Sequence, residues 1–271
     1  MSNPQRVEED RYMSWQMVDE GWGRKAVDWA TLAEPHAVRE YVFVHRLLDV
    51  RPGVDLLDVA CGAGLSLELA GVAGARVSGI DASPRLVEVA RLRNPGCDIR
   101  VGDMAESRFD DASFDVVTSF RGIWGTTPAA ITEVARVLRP GGKVALTFWG
   151  DMAATPGGRL LAPFRLATQE QVGHQSAMVA LKAPGAAAAF LAGAGLKPGE
   201  LIDVPFVMEY ADAEHYARGL AASGPAYEAI QTAGEEAFRA ACMEAVQPFL
   251  QEGLPIRATI RLFGIVGTKP A

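Results

Sequence analysis

Short apolar runs rich in valine and isoleucine alternate along this chain with stretches of helical periodicity. Such alternation is typical of parallel strands joined by crossover helices. It predicts seven strands, near residues 54–60, 75–80, 98–102, 115–120, 143–149, 200–209 and 257–268. The pattern of hydrophobic positions therefore indicates the α/β fold class.

Capping signals predict where two of the crossover helices begin. The dipeptide Ser83-Pro84 combines a favourable N-cap residue with proline at the first helical position, which predicts a helix over 84–93. Thr127-Pro128 repeats the signal and predicts a helix that ends near residue 138. At both places the local signal agrees with the apolar periodicity.

Three regions depart from the alternation of strands and helices. Residues 11–50 have a mostly helical pattern and contain three of the five tryptophans. Residues 210–250 form a second helical stretch, between the last two predicted strands. The segment 151–183 is rich in glycine, alanine and proline, which is more typical of a connection or cap than of a regular crossover.

The composition permits a large core and disfavours polyanionic partners. The chain has 271 residues, 49% of them hydrophobic, which is enough for one large domain or for a domain with an inserted cap. Its 26 basic and 33 acidic residues give a formal charge of −7, and no block of lysine or arginine stands out. We therefore expect neither nucleic acid nor an anionic membrane as a partner.

The cysteines and the N-terminal residues indicate a cytoplasmic protein. Cys61, Cys97 and Cys242 are widely spaced and odd in number, which suits a reducing compartment and offers no zinc-ligand spacing. The polar N-terminus has no signal-peptide core, and no apolar run reaches the roughly 18 residues of a spanning helix. We expect no metal site and no membrane insertion.

The strongest candidate for a ligand site is the stretch Asp58-Val-Ala-Cys-Gly62-Ala-Gly64, which follows the first apolar run. Glycines at 62 and 64 allow a sharp turn from strand to helix while the backbone approaches a ligand. A second carboxylate, Asp81, ends the next apolar run. This spacing indicates a nucleotide-like ligand across the first two strands, and the alternative is a tight turn without a ligand.

Three carboxylates indicate which chemical groups the ligand carries. Asp58 would repel a pyrophosphate, and Leu67 replaces the third glycine of a dinucleotide loop, so a ligand with cationic character fits better. Asp81 can accept hydrogen bonds from the cis-diol of a ribose, unless it only complements a helix N-terminus. Asp103, after the third strand, can accept from an adenine amine, unless it is a solvated turn residue.

The block from Val54 to Trp149 resembles class I S-adenosylmethionine-dependent methyltransferases. It is most similar to the branch with a Leu-Arg-Pro-Gly-Gly turn before the fifth strand, as in ubiquinone/menaquinone-type and small-molecule tailoring enzymes. The resemblance implies a Rossmann-like, seven-stranded, mostly parallel sheet with an antiparallel last strand, helices on both faces and helical lid elements. It also implies S-adenosylmethionine as cofactor and S-adenosylhomocysteine as product.

The resemblance assigns cofactor contacts by position. The methionine part corresponds to the first glycine loop, the ribose to the end of the second strand, and the adenine to the end of the third. The stretch Asp115-Val-Val-Thr-Ser119 matches the fourth motif of the family, near the cofactor amine. The implied cofactor-binding residues are Asp58, Ala60, Gly62, Gly64, Asp81, Ala82, Asp103, Met104, Ser119 and Phe120.

On the acceptor side the sequence departs from the family pattern. Many members have a leucine-histidine pair after the fourth strand, where this chain reads Arg121-Gly-Ile-Trp124. We consider His174 a candidate base because it follows the fifth strand, although an ordinary loop histidine fits as well. The candidates for the substrate pocket are Trp22, Arg121, Trp124 and His174, and packed structural roles are the alternatives for the first three.

The sequence thus favours transfer of a methyl group to an oxygen, nitrogen or carbon of a small-molecule acceptor. Two alternatives stay open: a protein that uses the cofactor pocket for a non-methylating reaction or as a binding module, and an NAD(P)-dependent oxidoreductase, which Leu67 disfavours. The sequence specifies neither the acceptor nor the oligomeric state. We expect a single domain over 1–271, with an N-terminal lid (1–50), a cofactor-binding core (51–150), a cap with substrate-binding elements and the sixth strand (151–250), and the last strand (251–271).

Overall fold

Seven strands form one sheet in the computed structural model, which describes residues 15, 18–125, 127–167, 180–183 and 185–271. In chain order they are β1 (Asp55–Val59), β2 (Arg76–Asp81), β3 (Asp98–Val101), β4 (Phe114–Phe120), β5 (Leu138–Trp149), β6 (Lys197–Tyr210) and β7 (Ile256–Thr268). Across the sheet the order is β3-β2-β1-β4-β5-β7-β6. The first five strands pair in parallel, whereas β7 is antiparallel to both β5 and β6. The predicted seven-stranded, mostly parallel sheet is confirmed.

Helices connect and flank the strands. They are α1 (Val18–Trp22), α2 (Ala26–Asp28), α3 (Val38–Leu47), α4 (Leu65–Val72), α5 (Pro84–Arg93), α6 (Pro128–Val137), α7 (Ala186–Gly193), α8 (Ala213–Leu220), α9 (Gly224–Ala233) and α10 (Glu235–Val246). The hydroxyl of Ser83 accepts from the amide of Leu86 at 3.2 Å, so the predicted cap of α5 is present. Helix α6 also begins at the predicted proline, but the Thr127 hydroxyl bonds to Trp124 instead of capping the helix.

Tighter helical turns complete the chain. A π-helical turn (Trp29–Ala33) and a 3₁₀ turn (Glu34–Ala37) join α2 to α3, and further 3₁₀ turns span Met152–Ala154, Pro156–Leu166, Ala180–Lys182 and Gln247–Phe249. Residues 18–47, which lie in the predicted N-terminal lid, are almost entirely helical, as their sequence pattern predicts. Helix α1 packs against α9, and α3 packs against β6.

Apolar side chains cover both faces of the sheet. Successive residues of a strand point to opposite faces, and in β1 Leu56 and Leu57 belong to two separate hydrophobic clusters. Both leucines are completely buried. This two-sided burial is expected for a parallel sheet with helices on each face. Within the described part of the chain, no helix has the length and apolar character needed to cross a bilayer.

Candidate active site

The predicted cofactor residues gather at the carboxyl edge of the parallel strands. Strand β1 lies between β2 and β4, so the direction in which the chain winds along the sheet reverses between β1 and β4. In open α/β sheets, ligands bind at such a switch point, outside the carboxyl ends of the strands. The loops after β1, β2 and β4 all open onto this edge.

The loop after β1 depends on residues with positive φ angles. Ala60, Gly62 and Gly64 have φ values of 60°, 57° and 80°. A Cβ on Gly64 would lie 2.8 Å from Ala90, so glycine is needed there for the close packing of α4 against α5. A Cβ on Gly62 would meet only the N-terminal lid, 3.3 Å from Glu34 Oε1 and 3.5 Å from Trp29 Nε1.

The carboxylate of Asp81 joins the first two loops. Its two oxygens accept from the amides of Gly62 at 2.9 Å and Ser83 at 2.8 Å. Burial raises the pKa of Asp81, and the backbone donors, including the amide of Ala82, oppose that shift. Asp81 is therefore held at the end of β2, the position that the sequence assigned to the ribose.

Asp58 lies behind the glycine loop. It is 1% exposed, and its Oδ1 accepts from the Thr118 hydroxyl at 2.8 Å. Burial raises the pKa of Asp58 to about 8, and the charges of Glu34 and Asp81 act in the same direction. The carboxyl group is therefore largely protonated at neutral pH, and a cation bound at the loop would favour its ionised form.

The ends of β3 and β4 carry the remaining predicted contacts. Asp103 Oδ1 accepts from the amide of Ala105 at 2.8 Å, as in an Asx turn, and Met104 packs against the hydrophobic core. The Ser119 hydroxyl donates to the carbonyl of Val59 at 2.9 Å and ties the end of β4 to that of β1. Phe120 packs edge-on against Tyr41 of α3.

A buried carboxylate that sequence reasoning missed faces this edge from the N-terminal lid. Glu34 is 2% exposed, accepts from the amide of Ala63 at 3.1 Å and forms an ion pair with Arg93. Burial raises the pKa of Glu34 to about 7, although Arg93 opposes the shift. Arg93 also donates to the carbonyls of Ala30 and Ala63. The lid is thus bonded directly to the glycine loop.

Most of the residues at this edge lie within a range of the chain that matches a known family. Residues 57–146 match the methyltransferase-domain family model. These residues are similar to known methyltransferase domains. The matched methyltransferase domain begins within β1 and ends within β5, so it contains the glycine loop, Asp81, Asp103 and Ser119.

Curated relatives match a little over a third of the chain rather than the whole of it. A nocamycin O-methyltransferase of Saccharothrix syringae is 41% identical over 112 residues, which are 37% of this chain and 40% of that protein. A demethylmenaquinone methyltransferase of Corynebacterium kroppenstedtii is 36% identical over 101 residues, 36% of this chain and 43% of that protein. The chain thus spans less than half the length of these two relatives.

A solved structure shows that the likeness of fold extends beyond the matched domain. A phosphoethanolamine N-methyltransferase 2 of Haemonchus contortus, in complex with S-adenosylhomocysteine and phosphomonomethylethanolamine, superposes with a TM-score of 0.58. The alignment covers 96% of this chain and 61% of that one at 16% identity. At this identity the similarity concerns the fold alone.

Among the residues predicted for the substrate pocket, Arg121 forms a buried ion pair. Its guanidinium contacts the carboxylate of Glu40 at 2.9 Å, and the Thr147 hydroxyl donates to the same carboxylate at 2.5 Å. Its charged group lies 5.4 Å from the ring centre of Trp149 and 5.0 Å from that of Phe206. Arg121 therefore joins α3 to the ends of β4 and β5 beside the methyltransferase core.

The predicted tryptophans of the acceptor side also have packing partners. The Trp124 indole donates to the carbonyl of Arg121 at 2.9 Å and so closes the turn after β4. Trp22 ends α1, stacks edge-on with Trp29 at 4.9 Å and lies against Gly224. These contacts bring Trp124 next to Arg121 and place Trp22 on the lid, and the pocket roles of all three residues stay predictions.

Three histidines lie in the described part of the chain, and each has a hydrogen-bond partner. His36 bonds to the carbonyl of Glu209, and burial lowers its pKa. His45 faces the hydroxyl of Ser66 at 3.3 Å, and burial lowers its pKa to about 4. His215 accepts from the amide of Ala211. The candidate base His174 lies outside the described residues, and the described residues contain no cluster of three or more side chains suited to a metal ion.

Proposed function

We propose that this protein transfers a methyl group from S-adenosylmethionine to an oxygen, nitrogen or carbon of a small-molecule acceptor. One observation carries the proposal: Asp81 joins the glycine loop to the start of α5 at the switch point of a sheet whose residues 57–146 match the methyltransferase-domain family. The two curated relatives described above are methyltransferases, which favours group transfer over NAD(P)-dependent oxidation.

The residues at this edge fit the proposed cofactor. Asp81 presents carboxylate oxygens for a ribose, and Gly62 keeps its loop free of a side chain beneath Glu34 and Trp29 of the N-terminal lid. Burial raises the pKa of Asp58, which lies behind the loop. The positively charged sulfonium and ammonium groups of the cofactor would lower that pKa and so favour the ionised carboxylate. The buried indole N–H of Trp29 adds a donor beside the same loop.

The cofactor supplies an electrophilic methyl group on a positively charged sulfur. Because that group is already activated, the protein's contribution is to align the acceptor with it and to exclude water. The Arg121–Trp124 turn and the aromatic rings of Trp149 and Phe206 lie where the acceptor would approach, beside the ends of β4 and β5. Aromatic side chains near the site are of the kind that suits a small organic acceptor.

We further expect the protein to act in the cytoplasm and without a nucleic-acid or membrane partner. The formal charge of −7 disfavours binding to phosphate backbones and anionic lipids. All three cysteines are free, and Cys61 and Cys242 are buried. Free buried thiols suit a reducing compartment.

Calorimetry with S-adenosylhomocysteine tests the cofactor assignment. The wild type should bind, whereas Asp81→Ala removes the ribose acceptor and Gly62→Val places a side chain on the ligand-facing backbone. Each variant should lose at least about tenfold in affinity, the scale of a hydrogen bond to a charged group. Circular dichroism controls for folding. Unchanged affinity in both variants would contradict the assignment.

A transfer assay separates a methyltransferase from a protein that only binds the cofactor. The protein is incubated with S-adenosylmethionine carrying a labelled methyl group and with pools of phenolic, amine and carbon-acid metabolites. The proposed activity moves label into an acceptor and releases S-adenosylhomocysteine. Tight cofactor binding with no transfer into any pool would favour the non-methylating alternative.

A further inference from the structure

The N-terminal lid places a hydrogen-bond donor and a carboxylate over the same glycine. Trp29 Nε1 and Glu34 Oε1 lie 3.5 Å and 3.3 Å from the point that a Cβ on Gly62 would occupy. The indole N–H is buried, and it has no hydrogen-bond partner among the residues that the structure describes. A buried donor without a partner costs free energy. The indole N–H of Trp29, unpaired among the described residues, therefore indicates that a bound ligand supplies the missing acceptor.

Glu34 provides the opposite chemistry beside this donor. Its carboxylate is 2% exposed and is balanced by Arg93, whose side chain is 20% exposed. A buried ion pair adds little net stability, because the loss of hydration offsets the attraction between the charges. The pair is neutral as a whole, so a zwitterion can bind next to it without adding net charge to a buried site.

Building on the proposed function, we propose that the N-terminal lid binds the amino-acid end of the cofactor. Trp29 Nε1–H donates to the α-carboxylate, and the Glu34 carboxylate accepts from the α-ammonium. Both residues precede the methyltransferase domain at 57–146, so the matched region alone lacks these contacts. The lid is then a part of the cofactor site and not only a cover for the acceptor.

Ligands shortened at the amino-acid end test this assignment by calorimetry. S-adenosylhomocysteine has both charged groups, its decarboxylated analogue retains only the ammonium, and 5′-methylthioadenosine has neither. Trp29→Phe should weaken S-adenosylhomocysteine about tenfold to a hundredfold and leave both shortened ligands within about twofold. Glu34→Gln should weaken S-adenosylhomocysteine and the decarboxylated analogue, and leave 5′-methylthioadenosine unchanged.

A matched control variant is Asp55→Asn. Asp55 is an ion-paired carboxylate at the opposite, amino-terminal edge of the sheet, where it contacts Arg76 and Arg139. Its substitution should change the affinity for none of the three ligands. Thermal melting of each variant reports folding. If Glu34→Gln unfolds, the comparison of ligands on Trp29→Phe still decides the role of the indole.

The outcomes distinguish this inference from the proposed function. If the wild type binds none of the three ligands, the proposed function itself is wrong. If the wild type binds them and Trp29→Phe weakens all three equally, the indole has a structural role and the inference is overturned. Unchanged affinity of Trp29→Phe for S-adenosylhomocysteine overturns it as well.

Discussion

At the scale of single residues, Asp58 should make stability depend on pH. Its pKa rises from 3.8 to about 8 on burial, so between those values the folded state retains a proton that the unfolded chain has released. Stability should therefore fall as pH rises through this interval. Asp58→Asn, which resembles the protonated carboxyl, should reduce the fall. Urea unfolding at about pH 5 and about pH 8 measures it.

Glu34 contributes a pH dependence of the same sign, since burial also raises its pKa, to about 7. The informative quantity is therefore the difference between the wild type and Asp58→Asn at each pH. If the free energy of unfolding fell equally with pH in the wild type and in Asp58→Asn, Asp58 would be ionised in the folded state.

A second residue-scale prediction concerns Gly64. Its φ is 80°, and a Cβ there would lie only 2.8 Å from Ala90, so Gly64→Ala combines left-handed strain with overpacking between α4 and α5. We expect a loss of about 2–4 kcal/mol in the free energy of unfolding. Gly53→Ala is the matched control, because Gly53 also has a positive φ but no atom within 4 Å of the position that its Cβ would take.

The control should lose only the conformational part, about 1–2 kcal/mol. Urea denaturation of both variants gives the comparison. If Gly53→Ala were as damaging as Gly64→Ala, the contact with α5 would be irrelevant and backbone conformation alone would explain both losses.

At the scale of elements, the Glu40–Arg121 pair attaches α3 to the sheet. Glu40 is completely buried, and its removal leaves the Arg121 guanidinium without its carboxylate. Glu40→Ala should therefore cost about 3–5 kcal/mol of unfolding free energy. The double variant Glu40→Leu with Arg121→Met should recover much of that loss, because no charge then lies buried.

Equilibrium denaturation of the wild type, Glu40→Leu, Arg121→Met and the double variant completes the thermodynamic cycle. Additive losses would show that the two side chains act independently, contrary to the contact at 2.9 Å.

The elements that the sequence predicted well are those with local signals. Helix α5 spans Pro84–Arg93 as expected, because a serine cap and a proline define its first turn. Strand β5 begins at Leu138, five residues before the predicted start, since Leu138 pairs with Phe114 ahead of a register shift. Strand β6 likewise extends to Lys197 across an irregularity after Pro198. Bulges depend on the partner strand, so hydrophobic periodicity does not locate them.

The candidate site also contains residues that sequence patterns predict and residues that only the tertiary fold reveals. Residues at the carboxyl ends of the strands were predictable, because strand order brings them to one edge. Glu34 and Glu40 were not, because their partners Arg93 and Arg121 are 59 and 81 residues away along the chain. A glutamate in a helical pattern is ordinarily exposed, and only the tertiary fold shows that these two are buried.

At the scale of the whole molecule, cofactor binding should stabilise the fold. A ligand that binds only the folded state at a hundred times its Kd adds about 2.7 kcal/mol. For a chain of this size, S-adenosylhomocysteine should then raise the melting temperature by about 5–10 °C. Scanning fluorimetry measures the shift, and Asp81→Ala, with at least about a tenfold loss of affinity, should reduce it to about half or less at the same ligand concentration. A full shift in that variant would place the ligand elsewhere.

The position of β7 has a consequence for synthesis on the ribosome. This strand comes last in the chain order of the sheet, yet it lies between β5 and β6. In a nascent chain that has emerged only as far as residue 250, β7 is missing. Strands β5 and β6 then have open edges and no strand between them. Until Ile256–Thr268 leaves the exit tunnel, both edges are available for pairing with other chains, so a transcript truncated just before that segment should yield an aggregating product.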